Sequence, residues 1–137
     1  MDIKMVAIEQ IKPYEKNPRK NDTAVEKVAA SLKEFGFKQP IVVDKNGVII
    51  VGHTRYKAAK KIGMTEVPVL YAEELTDEQV KAYRLADNKT AEFAEWDVSL
   101  LADELGQLEY LNFDMQPFGF EAQQKEVVED DFDVDSA

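Results

Sequence analysis

Residues 40–63 read PIVVDKNGVIIVGHTRYKAAKKIG, and the way this stretch folds decides the rest of the chain. Two short β-branched runs, PIVV and VIIV, flank Asp44, Lys45, Asn46 and Gly47. Asn-Gly accepts the positive φ angles of a tight turn, so the runs are expected to pair as a hairpin. Their apolar residues are consecutive rather than alternate, which predicts burial on both faces. Tyr56, Ala59 and Ile62 then recur at helical spacing, and Gly63 stops that helix. Gly52 stands where strand changes to helix.

Upstream, KMVAIEQI alternates loosely and leaves through Lys12, Pro13, Tyr14, Asn17 and Pro18, a strand running into an irregular loop. Thr23 and Glu26 have capping-box spacing, and Val25, Val28, Ala29, Leu32 and Phe35 follow at threes and fours until Gly36. Downstream, VPVLYA reads as a strand, with Pro68 placing it at a sheet edge or a strand start. Thr76 and Gln79 form a second capping box, opening a helix through Val80, Tyr83 and Ala86 toward Phe93. Asp97 caps another, with Val98, Leu101, Leu105 and Leu108 on its apolar face, and residues 109–120 form a closing apolar strap. Strands mingle with helices without a regular βαβ repeat. The expected class is a compact α/β (α+β) domain over residues 1–120, a small mixed sheet flanked by helices.

Composition excludes several chemistries. With no cysteine there is no disulfide, thiolate metal site or sulfur nucleophile, and one histidine cannot make a histidine-rich zinc site. The sequence contains no apolar run of membrane-spanning length, and MDIKMVAIEQ lacks the order of a signal peptide, so a cytoplasmic protein without a membrane partner is expected. The net charge of −10 is unevenly spread: residues 1–61 hold 13 Lys and Arg against 7 Asp and Glu. Residues 121–137 hold 7 acids and 1 lysine, an acidic tail or linker that cannot bury enough apolar surface to order itself.

Two constellations carry possible chemistry. A helix entered through Gly52 offers backbone N–H groups and the positive end of its dipole to an anion. His53, Thr54 and Arg55 add a donor, a hydroxyl and a permanent cation, and Arg55 can grip two phosphate oxygens. The same atoms also suit a plain helix cap, and spacing alone does not choose between the two. In RLADNKTAE, residues 84–92, Asp87 and Asn88 can offer oxygen to a hard cation such as magnesium, or simply face solvent. Glu34 and Gln39 flank the break at Phe35-Gly36-Phe37, where polar side chains often serve the local backbone. Lys12, Arg19, Lys57, Lys60 and Lys61 are candidates for contact with DNA phosphates.

Taken in order, EFGFKQPIVV, VIIVGHTRYKAAKKIGMTEVPV and ADNKTAE resemble the N-terminal domain of the ParB and sulfiredoxin superfamily. IKPYEKNPRK, GHTR, RLADNKTAE and AEWD look more specifically like ParB-like domains of phages and mobile elements, often found beside a DNA methyltransferase domain. The resemblance spans residues 3–120. It implies a nucleotide, CTP or ATP/ADP, with its phosphates at Gly52, His53, Thr54, Arg55 and Gln39, and Mg²⁺ at Asp87 and Asn88. Glu34 is then the candidate to orient water. Implied activities are a Mg²⁺-dependent nucleoside triphosphatase or a nuclease-like reaction, and implied partners are DNA and a methyltransferase, for which the chain could also be a non-catalytic adaptor. Segregation relatives carry Gly-Glu-Arg-Arg where this chain has Gly-His-Thr-Arg, and Glu-Asn-x-Gln-Arg where it has Asp87 to Ala91. Sulfiredoxin chemistry needs a cysteine that is absent here. A complete segregation protein is not expected, because no helix-turn-helix domain fits after residue 120.

Overall fold

A computed structural model of the 137-residue chain describes residues 2–17 and 22–120. Arg19 and the acidic segment 121–137 lie outside the described residues. Four strands form one sheet in the order β1-β4-β2-β3: β1 is Ile3–Ala7, β2 Ile41–Val43, β3 Ile49–Val51 and β4 Glu66–Tyr71. β1 runs antiparallel to β4, β4 parallel to β2, and β2 antiparallel to β3. The sheet is therefore mixed, as the sequence predicts.

The hairpin forms where expected. Asp44 Oδ1 accepts the N–H groups of Asn46 and Val48 at 2.8 and 3.0 Å, and the Gly47 N–H returns to the Asp44 carbonyl at 3.0 Å. The carboxylate thereby satisfies two donors that the turn would otherwise leave unpaired. The predicted double burial also holds. Ile41, Val43 and Ile49 lie in one apolar cluster with Val67, Val69, Ala58 and Ala59, while Val42, Ile50 and Val51 turn to a second with Ala72, Leu75 and Val80.

Helix α1 (Asp22–Phe35) and helix α2 (His53–Lys61) pack on the first face, and α3 (Asp77–Thr90) covers part of the second. Ala58 and Ala59 are the reason α2 can lie so close to the strands, since each presents only a methyl group to them. The capping box of α3 is present in full: Gln79 N–H to Thr76 Oγ1 at 3.1 Å, and Thr76 N–H to Gln79 Oε1 at 2.9 Å. No helix among the described residues is long and apolar enough to cross a membrane.

Three expectations are corrected. α1 begins at Asp22, so Thr23 sits inside the first turn and is not its cap. Pro68 lies in an interior strand rather than at an edge: it pairs with Met5 of β1, and the ladder to β2 begins only at Val69. A residue without an N–H is tolerated because it precedes that second ladder. The buried stripe of α3 runs through Val80 and Arg84, while Tyr83 and Ala86 are exposed.

Residues 2–94 form one unit and 95–120 belong to another. In the second, Asp97 caps helix α4 (Val98–Tyr110) by accepting the Leu100 N–H at 3.1 Å, as its sequence position predicts. Leu101, Leu105 and Leu108 are half-buried, but Val98 is 60% exposed and leaves the expected apolar face. The Phe120 ring meets Trp96 edge-on, with centroids 5.7 Å apart.

Candidate functional site

Gly52 makes the turn from β3 into α2 with φ 108° and ψ 24°, in the left-handed region. A Cβ there would stand 3.2 Å from Ile41 Cγ1 and 3.3 Å from Arg55 Nη2, so conformation and space both require glycine. No side chain caps α2, and the Tyr56 N–H is the first to reach back, to the Gly52 carbonyl at 2.9 Å. The first N–H groups of any α-helix have no carbonyl one turn back within it, the general condition for an anion site at a helix start.

Arg55, one residue before Tyr56, is held across the mouth of this turn. Its Nη1 donates to Gln39 Oε1 at 3.2 Å and its Nη2 to the Pro40 carbonyl oxygen at 3.3 Å. Its buried Nε finds no acceptor among the described residues. Burial pulls the Arg55 pKa down from its ordinary value, and the Asp87 carboxylate opposes that pull. Arg55, Gln39 and Asp87 thus come together from α2, the segment before β2, and α3. The cation remains charged, as guanidinium groups do in proteins.

His53 is used differently from the sequence expectation of a phosphate-facing donor. It is buried, and its Nε2 accepts the Tyr14 backbone N–H at 3.1 Å, so the neutral ring carries its proton on Nδ1. Burial, then the positive charges of Arg84 and Lys57, lower its pKa from 6.5 to about 4. Only its backbone N–H is placed to serve an anion at the turn. Because the folded state resists a proton that the unfolded chain accepts, stability is fully present above pH 6.5 and falls as pH drops toward 4. We expect about 2 kcal/mol to be lost between pH 7 and pH 4.5 through this group. Urea unfolding of wild type and His53→Gln at both pH values isolates it, since the carboxylates titrate equally in the two proteins. Equal pH dependence in both would remove the assignment.

Sequence reasoning missed Tyr14 and Arg84. Arg84 is 3% exposed, donates through Nε to the Ile49 carbonyl oxygen at 3.2 Å, and lies with its guanidinium carbon 3.7 Å from the Tyr14 ring centre. The available signal was its place one turn after Val80, which puts a cation on the buried stripe of α3.

Asp87 and Asn88 are half-buried on α3, and among the described residues no three His, Cys, Asp or Glu side chains gather into a metal-binding group. Glu34 is exposed in the last turn of α1, outside the set built around Arg55. Lys12, Lys57, Lys60 and Lys61 are all exposed. Lys61 pairs with Glu26 at 3.1 Å, and Lys60 stands 5.4 Å above the Tyr56 ring.

Residues 1–89 match the ParB N-terminal domain. The ParB-like nuclease domain-containing protein YnaK of Escherichia coli (strain K12) is 40% identical over 73 residues, covering 53% of this chain and 84% of that protein. A probable chromosome-partitioning protein ParB of Rickettsia prowazekii (strain Madrid E) is 37% identical over 70 residues, covering 50% of this chain but 24% of that one. The chain therefore spans about a quarter of this partitioning relative. Among solved structures, the C-terminally truncated ParB of Caulobacter crescentus complexed with CTP-γ-S matches with a TM-score of 0.66 at 25% identity, covering 79% of this chain and 63% of that one. Sulfiredoxin from Arabidopsis thaliana shares the fold at 20% identity and a TM-score of 0.51, over 61% of this chain and 97% of that one. The mixed sheet with flanking helices is the architecture common to these proteins.

Proposed function

The chain belongs to the ParB N-terminal domain family, and from that premise we propose that it is a nucleotide-binding module serving DNA transactions. The observation that carries the proposal is the Arg55 guanidinium, fixed between Gln39 and the Pro40 carbonyl at the start of α2 with Asp87 acting on it from α3. Phosphates settle against the backbone of Gly52 to Arg55, with Arg55 and Gln39 beside them. The unpaired Arg55 Nε is a further donor for an oxygen at that place. The relative from Caulobacter crescentus was solved with a CTP analogue, which makes CTP the first ligand to try, ahead of ATP and ADP.

The donor set fits magnesium in a limited way. Asp87 supplies one carboxylate and Asn88 an amide, too few to hold the ion alone and suited to Mg²⁺ that completes its shell with phosphate oxygens and water. When bound, the ion neutralises phosphate charge that Asp87 would otherwise repel. The protein's own part is positioning and charge compensation, the principal demands of phosphoryl transfer. Glu34 has no role in this reading.

The finer setting is a phage or mobile element, with a DNA methyltransferase as partner of the module. Lys57 and Lys60, exposed on α2, and Lys12 favour a second reading as a DNA-contacting surface, and YnaK is described as ParB-like nuclease domain-containing. Calorimetric titration of the folded protein with CTP, ATP and ADP in Mg²⁺ tests the first reading, and heat from CTP is expected. Silence with all three nucleotides removes it. Retention of duplex DNA that weakens with added salt supports the second, and flow-through at low salt removes that one.

A further inference from the structure

Arg84 is almost fully buried, yet it has no phosphate to hold in the reading above. Desolvating a guanidinium is expensive, and a methionine would fill the same space without that penalty. What the cation adds is direction. Its Nε is tied to the Ile49 carbonyl of β3, and its plane lies over the Tyr14 ring at 3.7 Å. Tyr14 in turn gives its backbone N–H to His53 Nε2 at 3.1 Å, in the first turn of α2.

A continuous set of contacts thus runs from α3 through the loop after β1 to the start of α2, with a branch to β3. On α3, Asp87 and Asn88 follow Arg84 by three and four residues and lie on the same side of the helix. Fixing the Arg84 fork therefore also fixes the rotation of α3 that brings Asp87 toward Arg55. We propose that Arg84 and Tyr14 are positioning residues: a clamp that seats the first turn of α2 on one side and orients the Asp87 side chain on the other, before any ligand arrives. The proposal rests on the nucleotide reading for its ligand, and the clamp itself is measurable without one.

The single imidazole of this chain gives that measurement. Long-range ¹H–¹⁵N correlation spectra of labelled protein report its tautomer and protonation directly. Wild type is expected to show a neutral ring protonated on Nδ1, with Nε2 accepting a hydrogen bond. Tyr14→Leu removes the ring but leaves the Arg84 bond to Ile49. With no ring held against Arg84, the loop is expected to carry the backbone N–H of residue 14 off His53 Nε2, so that the Nε2 hydrogen-bond signature is lost and binding of CTP with Mg²⁺ weakens roughly tenfold. Arg84→Met is expected to weaken that binding similarly, and Arg84→Lys to restore it to within about threefold. A wild-type imidazole signature and wild-type affinity in Tyr14→Leu overturn the clamp, even if Arg84→Met does not fold. If wild type binds no CTP while Tyr14→Leu still loses the Nε2 signature, the clamp stands and the nucleotide reading falls.

Discussion

Arg55→Ala is expected to weaken binding of CTP with Mg²⁺ roughly a hundredfold, about 3 kcal/mol, from the loss of charge-assisted hydrogen bonds to phosphate. Three consequences combine in that value. The fork that Gln39 and Pro40 hold in place disappears, so its ordering can no longer be shared between free and bound states. Gln39 Oε1 loses its donor. Asp87 loses the positive charge that offsets it, and so repels the incoming phosphates more strongly. Arg55→Lys keeps the charge without the planar fork and is expected to fall between, at roughly a tenfold loss. Calorimetry with all three proteins at one fixed salt concentration decides the matter. An Arg55→Ala affinity within about threefold of wild type would mean that the phosphates sit elsewhere.

The second large effect is on stability. Gly52→Val is expected to destabilise the protein by about 4 kcal/mol, and Gly52→Ala by about 2 kcal/mol. With φ at 108°, the position lies where L side chains are strained, and a β-branched one most of all. The new Cβ would also stand 3.2 Å from Cγ1 of Ile41, a side chain with 0% exposure and no room to retreat. It would press on Arg55 Nη2 as well, so any folded Gly52→Ala protein should bind nucleotide more weakly. Urea unfolding of the three proteins gives the comparison. A loss below about 1 kcal/mol in Gly52→Val would show that the turn can relax into another conformation.

What was legible in the sequence was local. The hairpin turn depends on Asp44 and Gly47 within four residues, the α3 cap on Thr76 and Gln79, and the α4 cap on Asp97 and Leu100. Each is a short-range solution to unpaired backbone groups, so residue type and spacing suffice to find it. The turn at Gly52 was legible for the same reason. Misplaced features depend on partners far along the chain. Pro68 reads as an edge marker until β1 is seen to pair on one side of it and β2 only beyond it. His53 reads as a possible donor at the turn until the Tyr14 N–H, 39 residues earlier, is found on its Nε2. Arg84 looks like a surface cation by type, and only its turn-for-turn spacing from Val80 hints that it is interior. The grouping of Arg55 with Gln39 and Asp87 was anticipated through the family resemblance, since nothing in local periodicity joins those three positions.

The sheet order also constrains how the chain can assemble. Among the described residues β1 neighbours β4 alone, and Ile3 must wait for Leu70 before it can pair. β2, β3 and α2 are contiguous and close short loops, so they can collapse while the N-terminal strand is still without a mate. During synthesis the backbone of β1 therefore stays unpaired until β4 emerges, while the side chains of Ile3 and Met5 remain exposed even in the finished sheet.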